Sequence, residues 1–341
     1  MPPSQYRDAG VNIESGTRAV ELMRNAVQAT YGPEVLLGVG AFGGLFDAAA
    51  LHAMDSPVLV ASTDGVGTKT KIASALGRYD TVGHDIVNHC INDILVQGAR
   101  PLFFLDYIAS SRLDPQMVAA VVSGAAAACQ AAGCALLGGE TAEMPGVYAP
   151  GEFDLVGTVV GVVDRAALID GSRTQPGDAV IGLASSGLHT NGYSLARRVF
   201  EGWDLAADVP ELGTSLGEAL LASHRCYLPA VQQVRQAGVD IRGLVHITGG
   251  GLIDNPPRIL ADGLGMRLER AGWPMLPLFE LIQRTGQIND QEMAHVFNLG
   301  LGMLVVTHPD EAGEALSALK DEAWLVGEIV VHSNGPRVVI T

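Results

Sequence analysis

Residues 165–184 read R-A-A-L-I-D-G-S-R-T-Q-P-G-D-A-V-I-G-L-A, and the change of character inside this stretch divides the chain. Up to Asp178 the apolar period is lost and Gly, Pro and Ser collect, as in a connection between domains. From Ala179 to Ala184 a short apolar run reads as the first strand of a new core. We place an N-terminal domain over 1–168 and a C-terminal domain over 169–341. At 341 residues the chain exceeds the size at which one core keeps growing, so two domains are expected.

Working outward, the first half offers a helix at 17–29, strands at 57–63, 102–108, 134–137 and 154–163, and helices at 81–97 and 115–132. The second half offers helices at 193–200, in part of 216–236 and at 309–320. Its strands fall at 179–184, 244–248, 266–268, 300–307 and 324–331. No strict βαβ rhythm appears in either half. The expected class is therefore α+β, with helices packed on mixed or antiparallel sheets in both domains.

Apolar residues make up 48% of the chain and charged residues 17%, a balance that excludes general disorder. The 42 glycines follow no G-X-Y period, so they belong to turns and close-approach loops rather than a fibre. With 21 Lys plus Arg against 37 Asp plus Glu, the net charge of −16 disfavours nucleic acid and anionic membrane as partners. The uncharged run 117–137 is rich in Ala, Gly and Ser, too weakly apolar for a membrane span. Four cysteines form no metal-type spacing and no secretory signal opens the chain, so a cytoplasmic setting is expected.

A phosphorylated small molecule must then be met locally, by metal, backbone N–H groups or a few placed cations. Thr63-Asp-Gly-Val-Gly-Thr-Lys69 follows an apolar strand and combines a carboxylate, two glycines, a hydroxyl and one of only three lysines. These are the parts that Mg²⁺ and phosphate require, in a loop that is neither Walker A nor G-x-G-x-x-G. On the helix at 81–97, Asp85, Asn88, His89, Asn92 and Asp93 share one side; they line a cation site or form a solvated face. Gly138-Gly-Glu-Thr-Ala-Glu-Met-Pro-Gly146 places Glu140 at a strand end, so Asp64, Asp93 and Glu140 compose a plausible Mg²⁺ set. The loop Gly38-Val-Gly-Ala-Phe-Gly-Gly44 is a phosphate cover or a linker.

In the second half, Ser185-Ser-Gly-Leu-His-Thr-Asn-Gly192 lies between strand and helix, where free N–H groups can hold an anion. His189 there is either a proton carrier or a structural donor. His246-Ile-Thr-Gly-Gly-Gly251 and Asn255-Pro-Pro-Arg258 repeat the theme, with Arg258 a candidate phosphate fork. Phe297-Asn-Leu-Gly-Leu-Gly-Met303 reads equally as a strand with small residues for packing.

Taken in order, Tyr6–Val11, Asp64–Lys69, Asn92-Asp93, Phe103–Tyr107, Gly138–Gly146, Ser185–Leu195, Thr248–Gly251 and Phe297-Asn298 closely resemble the phosphoribosylformylglycinamidine cyclo-ligase family over nearly the whole chain. The resemblance implies a homodimer whose N-terminal halves pair into a β-barrel, with the ATP site near the dimer interface. It implies conversion of formylglycinamidine ribonucleotide and ATP to aminoimidazole ribonucleotide, ADP and phosphate, in de novo purine biosynthesis. The formyl oxygen attacks the γ-phosphate, and the amidine nitrogen then displaces phosphate from the iminophosphate. By the same resemblance Asp64, Asp93 and Glu140 hold Mg²⁺, and Gly40, Gly43, Gly65, Gly67, Thr68, Lys69, Gly139 and Thr141 hold ATP. His189, Asn191 and Lys69 serve the phosphoribosyl substrate and the chemistry. Sister enzymes that phosphorylate thiamin phosphate or selenide share the pattern in part, but the selenide branch requires a reactive N-terminal cysteine and the first here is Cys90.

Overall fold

The structure, a computed structural model, describes residue 10 and residues 12–341, so the motif at 6–11 lies outside the described residues except for Gly10. The chain forms two compact units. One runs to Ile94 and includes Ala99–Ala166; the other comprises Leu95–Gly98 and Ala167–Thr341. Both are α+β, with mostly antiparallel sheets.

In the first unit the elements are α1 (Ile13–Gln28), β1 (Val35–Leu37), β2 (Leu45–Phe46), β3 (Pro57–Gly65), α2 (Lys69–Leu76), α3 (Asp80–Leu95), β4 (Arg100–Ser110), α4 (Pro115–Ala131), β5 (Ala135–Glu143) and β6 (Phe153–Asp164). The main sheet runs β3-β6-β4-β5, antiparallel except for the β4–β5 pair. It is an open sheet, not a closed barrel. Helix α4 starts where the sequence says it should: the Asp114 carboxylate accepts from the Gln116 and Met117 N–H groups, and Pro115 fills the first turn. Such a cap contributes about 1 kcal/mol. Helices α3 and α4 cross at glycines, because a Cβ on Gly83 would strike the Val121 carbonyl and one on Gly124 the Asp80 carbonyl.

Strand β5 is longer than expected, continuing through Gly138-Gly139 to Glu143. The two glycines read as a strand end, yet Leu105↔Gly138 through Ser110↔Glu143 remain paired with β4. Ladder hydrogen bonds override the local glycine penalty, which is only about 0.5–1 kcal/mol per residue.

The second unit contains β7 (Ala179–Ala184), α5 (Tyr193–Val199), β8 (Asp208–Val209), β9 (Thr214–Ser215), α6 (Leu216–Leu221), α7 (Leu228–Gln236), β10 (Ile241–His246), α8 (Gly251–Asp254), β11 (Leu264–Leu268), α9 (Pro277–Gly286), α10 (Asp290–Val296), β12 (Leu301–Thr307), α11 (Ala312–Leu319), β13 (Ala323–Val331) and β14 (Val338–Ile340). Its six strands run β10-β12-β7-β13-β11-β14, with only β11–β14 parallel. Every residue of β12 is buried, as a strand central to a covered sheet requires. The expected helix within 216–236 divides at 222–227, where His224 and Tyr227 turn inward and are 1% and 0% exposed. Helices α9 and α10 were not anticipated, although Pro277 in the first turn of one and the Asn289 cap of the other were readable signals. Residues 297–298 are irregular, 299–300 form a turn, and the strand begins only at Leu301.

Candidate active site

Asp64, near the end of β3, and His89 and Asp93, one helical turn apart on α3, converge in the first unit. His89 Nε2 lies 2.9 Å from Asp64 Oδ2 and 3.6 Å from Asp93 Oδ2, while the Ser62 hydroxyl donates to Asp93 Oδ2 at 3.1 Å. Burial works against charge on His89. The hydrogen bond to Asp64 and the charges of Asp93, Asp64 and Asp85 outweigh it, so its pKa is held above the ordinary imidazole value. Burial likewise pushes Asp64 up, but its bonds to His89 and to the Gly65 N–H leave it below the usual carboxylate range. An imidazole whose charged form two carboxylates support marks a site that favours positive charge. Two hard-oxygen donors suit Mg²⁺, which binds one or two carboxylates plus phosphate.

Lys69 stands elsewhere than expected. Its Nζ lies 2.7 Å from Asp85 Oδ2, with both side chains 0% exposed. Burial pulls its pKa down and Asp85 opposes that shift. In this structure the Lys69 charge is met by Asp85, its neighbour on the inner face of α3. The polar side of α3 is no solvated face, since Asp85 and Asn92 are 0% exposed and His89 is 3% exposed. Breaking a buried pair leaves the partner uncompensated, so Lys69→Met should cost about 3–5 kcal/mol, read as a lowered denaturant midpoint. Adding Asp85→Leu should recover most of that loss. A phosphate-binding lysine would instead raise the KM for the nucleotide with stability unchanged.

Glu140 does not join Asp64 and Asp93. β3 and β5 are separated by β6 and β4, roughly 14 Å at ~4.8 Å per strand step, so the expected three-carboxylate set is not one coordination sphere within a chain. Glu140 instead lines a groove of about 840 Å³ at the β5 edge, with Gly40, Gly43, Gly139, Phe103 and Leu105. A second cavity of about 260 Å³ shares Gly40, Gly139 and Glu140 and adds Thr141. Gly40, Gly43, Gly139 and Thr141 are thus gathered around two adjoining spaces. Gly65, Gly67 and Thr68 are not among their walls; they make the turn from β3 into α2, where Gly67 has φ +66°.

Asp106 on β4 lines both cavities, and sequence reasoning gave it no role. The signal was its place in the alternation: it shares a face with Phe104 and Ile108, both 0% exposed. Gly139 sits opposite, and any Cβ there would strike the Asp106 carboxylate and carbonyl. Burial pushes the Asp106 pKa up to about 7. A carboxyl whose folded pKa exceeds its unfolded value of 3.8 loses stability as pH climbs from about 4 to 7, with no further loss above that range. Asp106→Asn should therefore raise Tm by several degrees at pH 8, and the gain should vanish near pH 4.

In the second unit the glycine motifs brace one another. Asn298 accepts from the Ser185 hydroxyl and from the Gly300 N–H and donates to the Gly187 carbonyl, at 2.9, 2.9 and 2.8 Å. Asn255 accepts from the Thr248 N–H at 2.8 Å and holds the loop before α8. His189, at φ +63°, is 0% exposed and accepts from the Ser186 N–H through Nε2 at 3.2 Å. A backbone N–H only donates, so Nε2 is the acceptor in this bond. The ring stacks on His224 at 4.1 Å, and His224 Nε2 lies 3.0 Å from His246 Nε2. His189 therefore acts as a prop of the loop in this state. The buried Nδ2 of Asn191 has no hydrogen-bond partner among the described residues. Arg258 lies in a short 3₁₀ turn at Pro256–Ile259.

Residues 46–163 match the AIR synthase related protein, N-terminal domain, and residues 175–339 match the corresponding C-terminal domain. Two α+β units in this order define the class, an AIR synthase related protein. A phosphoribosylformylglycinamidine cyclo-ligase of Desulfitobacterium hafniense is 50% identical over 333 residues, covering 97% of this chain and 98% of the relative. The chain belongs to the phosphoribosylformylglycinamidine cyclo-ligase family, and is a ligase that forms a carbon–nitrogen bond. The fold is shared with thiamine-monophosphate kinase from Stenotrophomonas maltophilia K279a, at TM-score 0.67 and 19% identity over 95% of both chains. It is also shared with the hydrogenase maturation protein HypE in complex with ATP, at TM-score 0.65 and 19% identity over 98% of this chain and 93% of that one. Among the described residues no helix is long and apolar enough to cross a membrane.

Proposed function

We propose that this chain closes the imidazole ring of aminoimidazole ribonucleotide, consuming formylglycinamidine ribonucleotide and ATP and releasing ADP and phosphate in the cytoplasmic purine pathway. The observation that carries the reading is the pairing of a glycine-lined groove with a separate acidic cluster. Phosphoryl transfer from ATP needs positioning and charge stabilisation more than a protein nucleophile. The γ-phosphoryl group passes to the formyl oxygen, the amidine nitrogen of the same molecule attacks that carbon, and the oxygen departs with phosphate. Asp64 and Asp93 would hold Mg²⁺, which supplies positive charge against the phosphates. Gly40, Gly43, Gly139 and Thr141 surround the nucleotide, and the Asn191 amide with the loops at 185–192 and 248–251 holds the phosphoribosyl substrate. Phosphate on that substrate meets backbone N–H groups rather than a lysine.

The active form is a homodimer. Leu59 on β3 and Leu105 on β4 are 62% and 36% exposed on the open face of the first unit's sheet, and Leu36, Leu37 and Leu45 of the β1–β2 hairpin are exposed beside it. An open apolar sheet face of this kind calls for a covering layer. A second copy paired there into a barrel supplies it, and would bring the acidic cluster of one chain toward the groove of the other. The test is ADP release with formylglycinamidine ribonucleotide, ATP and Mg²⁺, with aminoimidazole ribonucleotide read by its colour reaction. Product formed in step with ADP is the expected result. ADP without that product, or only with thiamin phosphate, overturns the reading.

A further inference from the structure

The smaller cavity has a construction of its own. Its walls are Val20, Met23 and Val27 of α1, Val122 of α4 and Leu136 of β5, and it shares Gly40, Asp106, Gly139 and Glu140 with the glycine groove. At about 260 Å³ it is below the usual size of a site for a whole ligand, and suits one planar ring system whose polar tail leaves through the groove. Asp106 and Glu140 are the charged side chains that line both spaces. Of the two, Glu140 on β5 is the more exposed. From the α4 side comes the Cys129 thiol, which burial and the neighbouring Cys134 keep protonated. Helix α1 presents Gly16 and apolar side chains to this cavity, while its Glu21 and Arg24 line a different one. No cation among the described residues pairs with Asp106, and burial alone lifts its pKa to about 7.

Building on the groove as the nucleotide site, we propose that this apolar cavity receives the base of the nucleoside triphosphate and that the Asp106 carboxylic acid selects adenine. A neutral acid offers one O–H donor beside one C=O acceptor. Adenine presents the matching pair, a ring-nitrogen acceptor beside the N6 amino donor, whereas the same edge of guanine presents two acceptors, N7 and O6. A site built for one donor–acceptor order rejects the other because a buried polar group is left unpaired. Once Asp106 ionises it becomes acceptor-only and the match to adenine is lost.

The test is calorimetric binding of ATP and of GTP to the full-length protein with Mg²⁺ at pH 6 and pH 8.5. We expect ATP to bind at least about tenfold tighter than GTP at pH 6, with the ratio shrinking at pH 8.5. Asp106→Leu should abolish the preference by weakening ATP. Asp106→Asn, whose amide keeps one donor and one acceptor, should retain binding and lose the pH dependence. Equal affinities for ATP and GTP in the wild type, or an unchanged ratio in Asp106→Leu, overturn the assignment and leave the groove as a triphosphate site. If neither triphosphate binds, the nucleotide reading of the groove falls, and this inference with it.

Discussion

Asp93→Asn should lower kcat by at least about 100-fold and shift the Mg²⁺ requirement to higher concentration, with the circular dichroism spectrum unchanged. Mg²⁺ depends on full carboxylate charge, and losing a ligand costs more than the 10–100-fold typical of groups one shell further out. The effect should depend on pH in a definite direction. The pKa of His89 is raised by Asp64, Asp93 and Asp85 against its burial, so lowering the pH fills the site with an imidazolium between the carboxylates. Mg²⁺ must then displace a proton, and its half-saturating concentration rises as pH falls. In Asp93→Asn one of those supports is gone and the pH dependence should weaken. An unchanged Mg²⁺ curve would remove Asp93 from the metal site.

Mixing two inactive variants should restore activity. Asp93→Asn damages the acidic cluster. Gly43→Asp places a negative charge in the groove at a position where a Cβ meets nothing within 4 Å and φ is not positive, so the fold tolerates it. If each site draws its groove from one copy and its carboxylates from the other, a heterodimer carries one doubly damaged site and one intact site. Random reassociation then recovers about a quarter of wild-type activity, since half the dimers are mixed and each has one working site. If each chain holds a complete site, every site retains one lesion and the mixture stays inactive. The outcome is binary, and it decides whether the roughly 14 Å between Glu140 and Asp64 is closed by dimerisation.

Much of this was open to sequence reading because it depends on local periodicity. The Asp114-Pro115 start of α4, the strand 179–184 and the α+β mixture follow from caps, alternation and glycine placement. The motif order carried the family, which the comparisons bear out over nearly the full length. The candidate site was legible only as residue types. Asp64 and Asp93 do come together, and Gly40, Gly43, Gly139 and Thr141 do surround common cavities.

What the sequence by itself determined is the set of elements, the class and the stock of carboxylates and glycines, because spacing of 2 or 3.6 residues and turn chemistry act over a few neighbours. Only the tertiary structure decided which polar groups meet. Lys69 adjoins the glycines that predict a phosphate cradle, yet it turns to Asp85, sixteen positions on, because the core can hold its charge only beside an opposite one. Glu140 shares a residue type with Asp64 and Asp93, but strand order places it at the other edge of the sheet. Asp106 lies inside the Phe103–Tyr107 motif, but the motif assigns it no role. Its pKa comes from the apolar walls that α1, α4 and β5 bring around it, and desolvation depends on the three-dimensional surroundings, which no short stretch of sequence specifies.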